Sequence, residues 1–460
     1  MQSNEGFDEF LKQPLFDTIW RRRTHRVSRG VTEVAAGSMT YKSTQSPLPL
    51  GEAEEAVLIA MTGCTGLTMP DRPFFDPATG AAIMAKPNLT MDGRTAGSPD
   101  NAQATHFFLI NDEGTYFLRT LPSAPDVPLT LPNLIERARQ AKVRLLDRRL
   151  DVPAGQRDFP AYLDSNRFLS NLPGTTMLLP VVDLSHQYIN GLMYVLTQPD
   201  GARPTLVDDR NFYFTAGVKK WVRSSFLNKD LKVPLGILGA LRTPIEADLL
   251  LQNLFLTADA MGLGAWIHAT IAPPVMLGDP RYADQYGKML GFEYHTPAWR
   301  FRPLDLLRWG IVLPRHAHLR AQPVALKHEG EYLIKAACPP NYESMAAAVT
   351  EVARRKFGDG GVYRDADTFR RIYKEDYGER YLRESGDYTQ EVIDCARAVC
   401  EYIYGTHGRF PAHVDAIHVP GVWLQVHHVD LEYYDRFFNN GLTEAQRRHH
   451  ARWHAAVPRP

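Results

Sequence analysis

Acids followed by aliphatics in the run Leu50-Gly-Glu-Ala-Glu-Glu-Ala-Val-Leu-Ile-Ala-Met61 predict a helix over residues 50–62, with the carboxylates in the first turn. Residues 7–30 predict a short helix and then a basic cluster, and 63–103, rich in Gly, Pro, Asp and Asn, predict loop. The apolar runs His106–Ile110 and Thr115–Leu118, separated by Asn111-Asp-Glu-Gly114, predict a β-hairpin. Thr176–Leu184 predicts a buried strand, and Leu192–Leu196 a second.

The clearest helix signal opens at Thr243, with Thr at the cap, Pro244 at the first helical position and Glu246 two residues on, a capping-box pattern. Leu249–Met261 is apolar nearly all round, which requires burial on several sides, in a core or a subunit interface. Gly262 and Gly264 supply the stop. Beyond Arg302 the pattern changes to mixed strands and loops over Pro303–Ala337. Two amphipathic helices follow, at Ser344–Phe357 and at Tyr388–Tyr404 with Asp387 as cap and Gly405 as stop. Trp423–Asp430 alternates as a strand, and its bulky aromatic surroundings suit a lid or wall over a pocket.

Composition narrows the classes. Fifty-two basic residues balance 52 acidic ones, which removes the cationic footprint of a non-specific nucleic-acid binder. The longest apolar runs fall far short of a membrane span, and the acidic N-terminus has no secretory signal pattern, so a cytoplasmic protein is expected. Four scattered cysteines exclude a disulfide framework. Cys395 and Cys400 fall on different sides of the predicted helix and read as core.

Three clusters carry candidate chemistry. Arg22-Arg23-Thr24-His25-Arg26 offers guanidiniums and a hydroxyl that can grip a phosphate, or forms a solvated basic helix end. Ser98-Pro99-Asp100-Asn101-Ala102-Gln103 precedes a strand and can hydrogen-bond the edge of a planar ring, or is an ordinary turn. Arg300-Phe301-Arg302 puts two arginines on one side of an extended segment, aimed at an anion or at solvent. Eleven of the 16 histidines lie after residue 311. His450 and His454, four apart, share a helix face at a spacing that suits a metal, and His427-His428-Val429-Asp430 adds two imidazoles and a carboxylate. No H-E-x-x-H motif and no cysteine pair at zinc spacing accompanies them, and core histidines are the plainer reading.

The order of these motifs, with the helix ending Ala258-Asp259-Ala260-Met261-Gly262-Leu263-Gly264, resembles the nitroreductase-like flavoproteins. The resemblance implies an α+β fold: a central, mainly antiparallel sheet flanked by helices, in a homodimer. It implies FMN, its phosphate bound by Arg22, Arg23, Thr24 and Arg26 and by Arg300 and Arg302. Ser98, Pro99, Asn101 and Gln103 would lie along the ring, and Ala269 and Thr270 near its reactive nitrogen. The activity implied is FMN-dependent transfer of hydride or electrons between NAD(P)H, a transient donor, and a small organic acceptor such as a nitro compound, quinone or enone. Departures are visible: Ala104-Thr105 replaces the usual Pro-Trp, and no acidic-Gly pair stands at Ala269-Thr270. The core would span residues 1–310, with insertions near 68–97 and 121–220, and an extension over 311–460 would pack on it. A non-redox or flavin-free ligand-binding member of the same fold, and a metal-dependent enzyme using the C-terminal histidines, are the alternatives.

Overall fold

The structure, a computed structural model, describes residues 2–30, 33–71, 86–153, 155, 164–238, 242–296 and 321–454. Arg300 and Arg302 therefore lie outside the described residues, as does most of the Pro303–Ala337 reading before residue 321.

Helices and antiparallel strands build the molecule around one seven-stranded sheet. Its strands are β1 (Thr105–Ile110), β2 (Thr115–Leu118), β3 (Lys142–Leu146), β4 (Thr176–Asp183), β5 (Gly264–His268), β6 (Ile417–His418) and β7 (Trp423–His427). The spatial order is β5-β7-β4-β1-β2-β3, with β6 pairing β4, and every pairing is antiparallel.

The β1–β2 hairpin forms where its turn chemistry predicts. The Asn111 side-chain oxygen accepts from the N–H groups of Glu113 and Gly114, closing an Asx-type turn, and Ile110 pairs with Thr115. A Cβ on Gly114 would lie 2.7 Å from the Leu146 carbonyl oxygen, so the turn admits only glycine. Strand β4 is buried along its whole length, as its unbroken apolar run requires.

Helices cover both faces of the sheet. Alternation sends Phe108, Ile110, Met177 and Leu179 to one face, against α4 (Leu184–Leu196), α6 (Met345–Phe357) and α7 (Gln390–His407). Phe107, Leu109, Leu178, Leu424 and Val426 point the other way, against α3 (Glu52–Thr62) and α5 (Ile245–Met261). The remaining helices used below are α1 (Gln2–Phe10), α2 (Leu15–Arg21), α8 (Leu431–Phe437) and α9 (Glu444–Trp453). Among the described residues no helix is long and apolar enough to cross a membrane.

Several expectations are corrected. Leu192–Leu196 is the last turn of α4, not a strand: Asp183 caps the helix by accepting from Ser185 N–H, and Tyr188, Ile189, Leu192, Met193 and Leu196 recur at helical spacing. Helix α7 is capped by Thr389, which accepts from Val392 N–H, and ends at Gly408 in the left-handed region; Asp387 and Gly405 have neither role. At the start of α5 Glu246 makes no capping box. Its carboxylate instead accepts from Ser98 Oγ at 2.6 Å and Thr105 N–H at 2.8 Å, with Arg94 at 3.7 Å. A fully buried carboxylate is better satisfied by that tertiary set than by its own helix end. Gly262 does end α5, at φ +90°, and a Cβ there would meet the Ala445 carbonyl oxygen.

Trp423–His427 is a strand, as its alternation predicts, but both its faces are buried. It lies between β5 and β4, inside the sheet and not over a pocket mouth. The sheet thus takes strands from both sides of residue 310.

Candidate functional site

The basic segment is positioned by its backbone. Arg22 follows α2 in a non-helical conformation, and the chain then runs along the edge of the sheet. His25 N–H donates to the Ala265 carbonyl at 3.3 Å, and Arg29 N–H to the His428 carbonyl at 2.8 Å. The Tyr434 hydroxyl accepts from the N–H groups of Arg26 and Val27 at 2.8 and 3.1 Å. Held this way, Arg22 lies over the Phe255 ring at 4.9 Å and Arg26 over the Trp266 ring at 5.8 Å. Arg21 is taken by Asp17. Arg22, Arg23 and Arg26 form no ion pair among the described residues, and Arg23 donates only to the carbonyls of Arg21 and Arg22.

Beneath Arg26 lies an unusual face of the sheet. Register sets Gly264, Trp266 and His268 of β5 opposite His427, Gln425 and Trp423 of β7, all on one side. Trp266 and His268 stack with centroids 3.8 Å apart, and Trp423 meets His268 edge-on at 5.5 Å. A Cβ on Gly264 would lie 2.8 Å from His427 Nε2, so the imidazole takes the space of the absent side chain. Burial pushes His268 down to about 3, helped by the Arg26 charge, and burial likewise pushes His427 down to about 3. Both rings are neutral. Thr270 Oγ1 holds His268 Nδ1 at 2.6 Å. The indole nitrogens of Trp266 and Trp423, His268 Nε2 and both ring nitrogens of His427 are buried with no partner among the described residues. Each such group costs about 1–3 kcal/mol unless something else meets it. Five lie on one buried face, where a polar ligand or ordered water would meet them.

The Ser98–Gln103 loop is used differently. Ser98 Oγ bonds Glu246, Asn101 Nδ2 donates to the carbonyls of Thr90 and Asp92, and Gln103 Nε2 donates to Asn101 Oδ1 at 2.7 Å. Asn101 and Gln103 both have positive φ, which curls the loop over its own contacts, and Pro99 opens its short turn. Gln103 Oε1 alone stays buried without a partner. Of the predicted residues, the structure therefore brings Arg26 and Thr270 to the Trp266–His268 stack. Arg22 and Arg23 stand beside Asp259, Ser98 turns toward the start of α5, and Asn101 and Gln103 bond within the loop and to the Thr90–Asp92 segment. Thr24 and Ala269 adjoin the first group in the chain.

Sequence reasoning missed three features here. In the sequence Trp423 reads only as the start of a strand, and Trp266 carries no signal. Asp259, quoted only as part of a helix ending, is buried and pushed up to about 7, because desolvation outweighs the charges of Arg22 and Arg23. It lines a cleft of about 650 Å³ with Arg21, Arg23, Thr443 and Arg448. An acid inside an otherwise apolar helix was the available signal.

The third is Glu54, in the first turn of α3. His428, His449 and His454 each bring Nε2 to its Oε1, at 3.1, 2.6 and 3.0 Å. His449 joins His454 at Glu54; α9 ends at Trp453, and His454 follows it in a non-helical conformation. His450 and His454 do share a face, their rings stacked with centroids 5.4 Å apart, but His449 and not His450 reaches Glu54. His427 belongs to the sheet, and Asp430 is engaged by Tyr41, Ser43 and the N–H of Tyr433. Cys64, Cys338, Cys395 and Cys400 are all buried and free.

No protein-family model and no curated protein matches the chain. Comparison with solved structures returns a provisionally named nitroreductase from Ralstonia eutropha JMP134, 16% identical, covering 56% of this chain and 71% of that one. Its TM-score of 0.23 is too low for the likeness to bear on fold or function.

Proposed function

We propose that this chain is an FMN-dependent oxidoreductase that moves hydride or electrons between NAD(P)H and a small organic acceptor. The observation that carries the reading is that guanidiniums with no ion pair and a buried face of ring nitrogens with no partner, both among the described residues, meet where Arg26 lies over Trp266. The donor set fits FMN. A phosphate dianion suits Arg22, Arg23, Thr24 and Arg26, and the oxygen- and nitrogen-bearing edge of a flavin suits buried indole and imidazole N–H groups. By the resemblance, Arg300 and Arg302 would add to the phosphate clamp. When bound, FMN supplies the redox chemistry.

The chain's own residues then bind and orient. Arg22 and Arg26, backed by aromatic rings, would neutralise the phosphate. The Trp266–His268 stack would present a flat, water-poor wall, and Thr270 would keep His268 in one orientation. His268 and His427, held neutral by burial, would offer hydrogen bonds and not charge.

We also propose a homodimer. Helix α2 buries none of its residues, and Phe16 and Trp20, each 75% exposed, stack on one another on its surface. Such an apolar face is stabilised by a partner.

Charge-assisted bonds contribute about 1.5–3 kcal/mol each. An Arg22→Ala/Arg26→Ala double variant is therefore expected to bind FMN on the order of 10²-fold more weakly, read by flavin fluorescence titration. Equal affinity in the folded variant would remove Arg22 and Arg26 from the phosphate site.

A further inference from the structure

We infer that Glu54, His428, His449 and His454 form a four-ligand site for a divalent transition-metal ion of the zinc class. This does not rest on the flavin reading.

The four ligand atoms, one carboxylate oxygen and three imidazole Nε2 atoms, all lie within 4.8 Å of one another. His428 Nε2 is also 3.0 Å from His454 Nε2. A tetrahedral zinc centre with bonds of about 2.0–2.1 Å sets its ligands roughly 3.3 Å apart, so a small movement of these side chains makes room for the ion.

The outer contacts point the same way. His428 Nδ1 lies 2.9 Å from the Leu48 carbonyl, and His449 Nδ1 lies 2.7 Å from the Met261 carbonyl. A carbonyl only accepts, so in each neutral ring Nδ1 carries the hydrogen and Nε2 turns a lone pair toward Glu54 Oε1. The backbone support behind each imidazole is that of a metal-ligating histidine. Gly51 N–H occupies the other Glu54 oxygen and leaves Oε1 facing the histidines. Lone pairs of two rings and a carboxylate facing one another in a buried space are stable around a cation. With both rings neutral and Glu54 ionised, the contacts of His428 and His449 with Glu54 Oε1 have no donor hydrogen, a lack that either a bound cation or protonation of the rings removes.

The chemistry selects the ion class. Three imidazoles and one carboxylate suit zinc and its first-row neighbours, and not calcium or magnesium, which prefer oxygen shells. Four protein ligands with no open position is the pattern of a structural site. A cavity of about 70 Å³, lined by Gln45, His428, His449 and His450, reaches the cluster and gives the ion an access route. The ligands come from α3, from the residue after β7 and from the end of α9, so the ion would tie the N-terminal helix to the C-terminal segment.

The test uses the full-length protein, stripped with a chelator and titrated with Co²⁺ and with Zn²⁺. The expected result is one equivalent of Co²⁺ with the strong visible bands of a tetrahedral site, displaced by Zn²⁺, and a Tm raised by several degrees on Zn²⁺ addition. Glu54→Gln is expected to lose that binding. Because a variant at that buried carboxylate can misfold, His454→Gln, at a helix end, is the second variant, expected to weaken Zn²⁺ at least 10-fold with the circular dichroism spectrum unchanged. Folded wild-type protein that takes up neither ion, or a folded His454→Gln variant that binds both as wild type does, would overturn the site and leave a hydrogen-bonded cluster only.

Discussion

At the scale of single residues, Asp259 makes a sharp claim. Its carboxyl is pushed up to about 7 by burial, against about 3.9 for an unperturbed aspartate. A raised acid is destabilising in its charged form, and that cost grows as pH rises from the unfolded value to the folded one. Asp259→Asn is therefore expected to stabilise the protein at pH 8 by on the order of 1–4 kcal/mol, with the gain shrinking as pH falls and vanishing near pH ~4. Denaturant unfolding at several pH values measures it. A gain that is equal at pH 4 and pH 8 would show that Asp259 has an ordinary pKa. Residues of this kind are poorly legible in sequence. Glu54 reads as an acid suited to a helix start and Glu246 as half of a capping box, because only the fold shows which distant groups approach them. His449 is likewise hidden, because i, i+4 spacing pairs His454 with His450, and only the fold brings Glu54 to His449.

At the scale of elements, the local signals served well where one segment decides its own conformation. The Asn111–Gly114 turn, the apolar run of β4, the stop at Gly262 and the alternation in β7 are all local, and all form as read. Leu192–Leu196 failed because a short apolar run fits either a strand or a buried helix, and the deciding cap at Asp183 lies nine residues upstream of Leu192. Strand β7 shows what sequence cannot supply: alternation predicts a strand, but not its insertion between β5 and β4. That placement makes a strong prediction. A chain ending at residue 310 lacks the strand that joins β5 to β4, and is expected to show no cooperative thermal transition. Trp423→Ala, which empties a fully buried site, is expected to cost about 3–5 kcal/mol in urea unfolding. A stable, cooperatively folding 310-residue fragment would mean that β5 and β4 are held without β7.

For the whole molecule two proposals meet: an apolar helix surface that a second copy would cover, and a binding face assembled from both ends of the chain. Light scattering tests the first. The wild type is expected as a dimer at micromolar concentration, and Phe16→Glu/Trp20→Glu as a monomer; a monomeric wild type would contradict the dimer. The second is the central claim, because Arg26 comes from residue 26 of the chain, Trp266 from its middle and Trp423 and His427 from near its end, and only the folded sheet brings them together. Its most direct test is an equilibrium titration of the purified full-length protein with FMN, followed by flavin fluorescence and the visible spectrum. The account expects saturable binding of one FMN per chain with a perturbed flavin spectrum, lost together with the binding in Arg22→Ala/Arg26→Ala. Folded protein that leaves the FMN spectrum and fluorescence unchanged at saturating concentrations would contradict it.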